Sequence, residues 1–191
     1  LAAATVAGHL IECGAQVTGG MYSDWSSAIR LDDIGYPIAE IDAAGSLLIT
    51  KPDGTGGAVT VGTVAEQLVY EIGDPRHYLT PDVDADFSGV ELQQEAIDGV
   101  RATGARGGPA PERYKVSLAY RDGYMVSGTL VVSGPDAERK ARRCADAIFA
   151  RVRSAGFSLA RTNVECLGTG DSVPGVLDRA PHAPVVVLRI S

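Results

Sequence analysis

Lys115-Val116-Ser117-Leu118-Ala119-Tyr120-Arg121-Asp122-Gly123-Tyr124 is the stretch whose reading sets the fold class. Apolar and polar residues alternate from Lys115 to Tyr120, the period of a half-buried strand. Asp122-Gly123 is a strong hairpin signal, so Tyr124–Val132 is expected to return as a second strand. Gly134-Pro135-Asp136 opens a long helix over about 136–155, with Asp136 in the acid-favouring first turn. Its apolar stripe is Ala141, Cys144, Ala145, Ile148, Phe149 and Val152. The opposite face, with Arg139, Lys140, Arg143 and Arg151, reads as solvated, and Gly156 caps the end. Leu159–Leu167 and Pro184–Ile190 follow as two more strands. Hairpin, helix, strand, strand is an α+β order: a mostly antiparallel sheet with one long helix packed on it.

Upstream, the grammar is different. Residues 1–13 carry Val6, Leu10, Ile11 and Cys13 at helical spacing, and Gly14 stops them. A glycine- and serine-rich loop with Trp25 fills 14–35. Pro37–Ile41 and Ser46–Thr50 read as a hairpin, and Ala58–Val61 as a short strand. A helix is expected over about 64–72, opened by a Thr63/Glu66 capping box and closed by Gly73 and Pro75. Tyr78–Val83 reads as a connector, Phe87–Leu92 and Gly99–Thr103 as strands, and Gly104–Pro111 as a loop. The expected organisation is a glycine-rich, site-bearing α/β part over 1–107, followed by the α+β unit over 108–191.

Composition bounds the function. The chain has 191 residues and a formal net charge of -7, which argues against a nucleic-acid partner. Cys13, Cys144 and Cys166 form no CxxC pair, which fits reduced thiols in a cytoplasmic protein. No apolar run reaches the roughly 20 residues of a membrane span. A helical pattern already under way at Leu1 suggests that a segment precedes it, or that a separate chain supplies it.

Ile49-Thr50-Lys51-Pro52-Asp53-Gly54-Thr55-Gly56-Gly57 is the first candidate site. A lysine, a glycine-rich loop and a helix start compose an anion cradle, with Lys51 as point charge and the amides of Thr55, Gly56 and Gly57 as donors. The order is not that of a Walker A loop. The competing reading is a tight turn needing positive φ. Glu12-Cys13-Gly14-Ala15-Gln16-Val17-Thr18-Gly19-Gly20 is the second candidate, with Glu12 as general base and Gln16 as carbonyl-polarising amide. Gly19 and Gly20 join the binding set, or form only a turn. Cys13 lies at a helix C-terminus, where the dipole disfavours a thiolate nucleophile. Glu71 and Asp82 are further acid–base candidates, or cation ligands together with loop carbonyls, against a favoured reading as structural carboxylates. Arg106 is a candidate to pair with an anionic substrate group, or belongs only to a surface hairpin turn. Trp25 lines a pocket or packs on the core. His9, His77 and His182 are dispersed, no zinc spacing occurs, and no dinucleotide fingerprint is present, so neither zinc nor NAD is implied.

The longer strings go beyond patterning. Glu12–Gly20, Gly35-Tyr36-Pro37-Ile38-Ala39-Glu40, Thr50–Gly57, Glu66-Gln67-Leu68-Val69-Tyr70-Glu71-Ile72, Tyr78–Val83 and Gly104-Ala105-Arg106-Gly107 occur in the order of the acyclic terpene utilisation family. The chain resembles AtuA-like proteins, most strongly over 1–135. The resemblance implies a bacterial, cytoplasmic protein of citronellol- and geraniol-type catabolism, with a substantial α/β segment ahead of Glu12. It ties the Lys51 loop to a carboxylate, a CoA phosphate or a thioester carbonyl. The function expected is acid–base lyase- or hydratase-like chemistry on a branched isoprenoid acid or its CoA thioester, in a homo-oligomer. The alternative is a non-catalytic subunit or binding module for another terpene-pathway enzyme.

Overall fold

The structure is a computed structural model that describes residues 1–180 and 182–191. The fold is α+β, in two compact units, Leu1–Leu118 and Ala119–Ser191. Among the described residues, no helix is long and apolar enough to cross a membrane.

The first unit begins with α1 (Ala2–Glu12), which buries Val6 and Leu10. The hairpin β1 (Ile38–Ile41) and β2 (Leu47–Thr50) forms as its sequence predicts. Asp42 makes the turn: its Oδ1 accepts the amides of Ala44 and Ser46, each at 2.9 Å. After α2 (Val61–Leu68) come β3 (Tyr78–Leu79), β4 (Asp84–Asp86), β5 (Glu91–Ala96), β6 (Gly99–Thr103) and β7 (Arg106–Gly107). Two antiparallel sheets result, in the orders β1-β2-β6-β5 and β3-β4-β7. The core joins α1, α2 and both sheets through residues such as Leu10, Leu47, Ile49, Val64, Ala85 and Val100.

Several expectations change here. Ala58–Val61 is not a strand. Its backbone groups are taken by side chains of the β5–β6 hairpin: Asp98 Oδ1 accepts the Val59 amide at 2.9 Å, and Gln94 holds Val59 O and the Val61 amide. α2 consequently starts earlier than the apolar pattern suggests. Its N-cap is Thr60, in a reciprocal box with Thr63: each hydroxyl accepts the other's amide, at 3.0 and 3.2 Å. Glu66 is therefore not a cap. Its carboxylate accepts both the amide and the hydroxyl of Ser23, at 3.1 and 2.7 Å, and those bonds hold its pKa down. The strand expected at Phe87–Leu92 lies at β5 instead. β7 pairs Gly107 with Ala85, and Gly108 and Pro109 bond Asp84, which ties 106–109 to the first unit.

The second unit contains β8 (Gly128–Ser133), α3 (Ala137–Ser154), β9 (Val164–Leu167) and β10 (Val185–Ile190). The antiparallel order is β8-β10-β9, and α3 lays Ala137, Ala141 and Ala145 on Cys166, Val186 and Leu188. Alanines let the helix sit close to the sheet. Asp136 is the N-cap, at φ +57°, rather than a first-turn residue. Gly156 closes α3 in a Schellman motif: its amide reaches Arg153 O at 2.9 Å, and the Phe157 amide reaches Val152 O at 3.3 Å.

The expected strand Lys115–Tyr120 does not form. Tyr114, Val116, Leu118 and Tyr120 are all exposed, and 115–127 join no ladder. A type I′ turn needs positive φ at both central residues. Gly123 has it; Asp122 does not, and its carboxylate instead accepts from Arg161 at 2.9 Å. The strand expected at Leu159–Leu167 is likewise confined to Val164–Leu167.

Candidate functional site

The end of α1 builds an open cleft of about 600 Å³. Gly14, at φ +56°, ends the helix, and a 3₁₀ turn over Gly14–Gln16 folds the chain back, with the Gly20 amide on Ala15 O at 2.8 Å. A Cβ on Gly14 would approach Tyr36 Cε1 to 2.7 Å, so the missing side chain is what lets the Tyr36 ring lie against the backbone. Glu12, Cys13 and Gln16 line one part of the cleft, and Met21, Leu31, Ile34 and Tyr36 the apolar remainder. Glu12, Gln16 and Gly20 are thus brought together, as the sequence suggests. Gly19, at φ +96°, turns the chain beside them and is not part of the lining.

Behind Glu12 lies a residue that the sequence reading passed over. His9 is 3 % exposed, one helical turn before Glu12. Its Nδ1 is 2.8 Å from Glu12 Oε1, and its Nε2 is 3.2 Å from Leu68 O. The Glu12 side chain is 51 % exposed, so the pair runs from the core into the cleft. Tyr78 meets the imidazole edge-on at 5.4 Å and Phe87 lies tilted at 5.7 Å, while the two aromatic rings stack at 4.8 Å. Gln67 Nε2 donates to His9 O at 2.9 Å. Burial pushes the Tyr78 phenol up, with a smaller push from Glu12. The available signal was the His-x-x-Glu spacing on one helix face.

The Lys51 loop has its donors occupied from within. The Lys51 side chain is 5 % exposed; its ammonium donates to Thr55 O at 2.9 Å and pairs with Asp98 at 3.0 Å. The amides of Gly56 and Gly57 donate to Asp33 O and Ile29 O, each at 2.7 Å, and that of Thr55 to Pro52 O at 3.4 Å. The loop therefore does not present the open amide cradle that its sequence suggests. Its glycines serve close packing: a Cβ on Gly56 would stand 2.0 Å from Arg30 O, and one on Gly57 2.4 Å from Thr18 O. The remaining candidates stand outside the cleft lining. Glu71, at φ +55°, is exposed beside Tyr70, whose phenol it pushes up, with burial and Cys13 adding to the effect. Asp82 is exposed in the Thr80–Val83 turn. Arg106 is exposed on β7, opposite Asp86. Trp25 is exposed in a 3₁₀ turn.

In the second unit a charged hollow of about 420 Å³ lies along α3, lined by residues including Glu138, Arg142 and His182. Part of its charge pairs within the protein, Arg142 bonding Glu138 at 2.8 Å and Asp171 at 2.6 Å. Among the described residues, no group of three or more His, Cys, Asp and Glu side chains is placed to hold a metal ion.

The strings behind the resemblance lock onto one another. Thr18 Oγ1 donates to Gly35 O at 2.6 Å, the Gly35 amide to Gly56 O at 3.0 Å, and the Ala58 amide to Thr18 O at 2.8 Å. A Cβ on Gly35 would stand 2.2 Å from Thr55 Oγ1. The model of the family described as acyclic terpene utilisation family protein AtuA matches residues 1–191, the whole chain. The chain belongs to the AtuA family. No curated protein and no solved structure matches it. Three of the AtuA-like strings thus meet in the first unit as one knot of loops, and Glu12–Gly20 forms the rim of its cleft. The family name gives involvement in acyclic terpene utilisation.

Proposed function

We propose that the chain acts in acyclic terpene catabolism by acid–base chemistry, of lyase or hydratase type, on the CoA thioester of a branched isoprenoid acid. The observation that carries this reading is the cleft itself: one carboxylate and one amide, Glu12 and Gln16, face an apolar wall of Met21, Leu31 and Ile34. Glu12 moves the proton, Gln16 donates to the carbonyl oxygen, and the wall takes the hydrocarbon chain. The cleft volume of about 600 Å³ lies within the usual range for small-molecule sites, roughly 300–1,000 Å³. Among the described residues, the lining holds Glu12 and no lysine or arginine. A free carboxylate would meet Glu12 as a like charge, whereas a thioester carbonyl is neutral. The thioester is for that reason preferred over the acid.

Calorimetry with geranic acid and geranoyl-CoA tests the reading. The thioester binds and the acid binds at least tenfold more weakly. Gln16→Ala weakens thioester binding by about tenfold, the value of one good hydrogen bond of roughly 1.4 kcal/mol. Glu12→Gln keeps binding and abolishes turnover. Absence of heat with both ligands overturns the proposal.

A further inference from the structure

We infer that His9 is the positioning residue of the cleft: it fixes Glu12 through a hydrogen held between His9 Nδ1 and Glu12 Oε1, and leaves Oε2 as the working oxygen. The inference rests on the functional reading only for what Oε2 does; the pairing stands on geometry.

The hydrogen count follows from the partners. His9 Nε2 faces Leu68 O at 3.2 Å. A carbonyl oxygen only accepts, so Nε2 carries a hydrogen. Nδ1 faces Glu12 Oε1 at 2.8 Å. Without a hydrogen between them, a ring lone pair would oppose a carboxylate oxygen at that distance, at a nitrogen closed off from water. A hydrogen therefore lies on that line, whichever atom owns it. The ring cannot turn away: Tyr78 and Phe87 pack on it at 5.4 and 5.7 Å, and the ring is nearly inaccessible. Leu68 closes the last turn of α2, so α2 orients His9, and His9 orients Glu12. A half-exposed glutamate otherwise samples many rotamers. Here one oxygen is pinned, and the carboxylate is pre-set for proton transfer into the cleft. A histidine serving only to join α1 and α2 would need the Leu68 bond and nothing at Nδ1.

The chain has three histidines, so ring-nitrogen correlation spectra of ¹⁵N-histidine-labelled full chain resolve His9 against His77 and His182. The expected result at neutral pH is a hydrogen-bonded signal at both His9 nitrogens. Glu12→Ala converts it to the simple neutral ring with hydrogen on Nε2 alone, while the other two histidines keep their signals. Identical His9 spectra in the two proteins overturn the inference. His9→Asn keeps a donor near the Nδ1 position and His9→Gln one near Nε2. Asn is expected to retain thioester turnover within threefold, and Gln to lose it by about tenfold with affinity unchanged; the reverse order overturns the positioning role and leaves a structural link alone. If no thioester binds and Glu12→Ala still shifts the His9 ring, the functional reading fails and the pairing stands.

Discussion

Lys51 shows how one residue can satisfy a motif and still do something else. A lysine before a glycine-rich loop reads as an anion site, and the glycines do carry unusual backbone geometry, with Gly54 at φ +74° and Gly57 at φ +82°. The sequence could not show that Asp98, from a distant hairpin, takes the ammonium, or that loop 14–35 supplies carbonyls for the amides. That Glu12 and Gln16 share one cleft could be read from their closeness in sequence, on the last turn of a helix and the loop after it. His9 was not, because its meaning depends on Leu68, Tyr78 and Phe87, which approach only in the fold. Lys51→Met leaves Asp98, 31 % exposed, without its partner, so the cost falls below that of a fully buried pair, at about 1–3 kcal/mol. Denaturant unfolding of Lys51→Met, Asp98→Ala and the double variant measures it, and the double variant is expected to recover part of the loss. Thioester affinity changes by less than twofold. A tenfold loss of affinity with little loss of stability would return the loop to the binding role that its sequence suggests.

At the scale of elements, α2 illustrates competition between start signals. Thr63 and Glu66 have the spacing of a capping box, yet Thr60 takes the cap and Thr63 becomes its reciprocal partner. The deciding interactions come from Gln94 and Asp98 on the β5–β6 hairpin, which hold the backbone of Val59 and Val61 and set where the helix begins. Thr60→Ala is expected to lower stability by about 1 kcal/mol, and Glu66→Gln by less, because an amide oxygen still accepts from Ser23. The connector from Asp74 to Asp84 responds to pH in two directions. Hydrogen bonds from the Arg76 side chain and amide hold Asp74 down from 3.8 to about 2. A depressed acid contributes above its unfolded value and loses that contribution as pH falls toward about 2. His77 is raised from 6.5 by its hydrogen bond to Asp84, so its contribution is complete below 6.5 and is lost as pH rises through the folded value. Amide exchange across 74–84 is thus slowest between about 4 and 6.5 in relative terms, after correction for intrinsic rates. Asp74, Arg76 and His77 are exposed and Asp84 is partly so, and 0.5 M salt therefore flattens the profile. Unchanged protection on either side of that window counts against both pairs.

At the scale of the molecule, the fold class was legible from element order, and the strand before Asp122-Gly123 was not. Alternation states which face a strand would bury, but a ladder also needs a partner in register and a turn with the right φ. Helix α3 and strands β9 and β10 supply a core without that extra strand. Each unit owns its core. One contains Leu10, Leu47 and Val64, the other Ala141, Cys166 and Leu188. The family match, by contrast, runs through both units. Leu10 and Leu188 are 0 % and 1 % exposed, and truncating either to alanine removes buried methyl groups at a cost of about 2–5 kcal/mol. Because each leucine belongs to the cluster of its own unit, the damage is expected to be local. Leu188→Ala speeds amide exchange in β8, α3, β9 and β10 and leaves β2, β6 and α2 protected. Leu10→Ala does the opposite, and it alone disturbs the His9–Glu12 pair, since Leu10 lies between those two residues on α1. If either variant instead loosens all of these elements together, the two units unfold as one cooperative body, and stability at the cleft is governed by residues far along the chain.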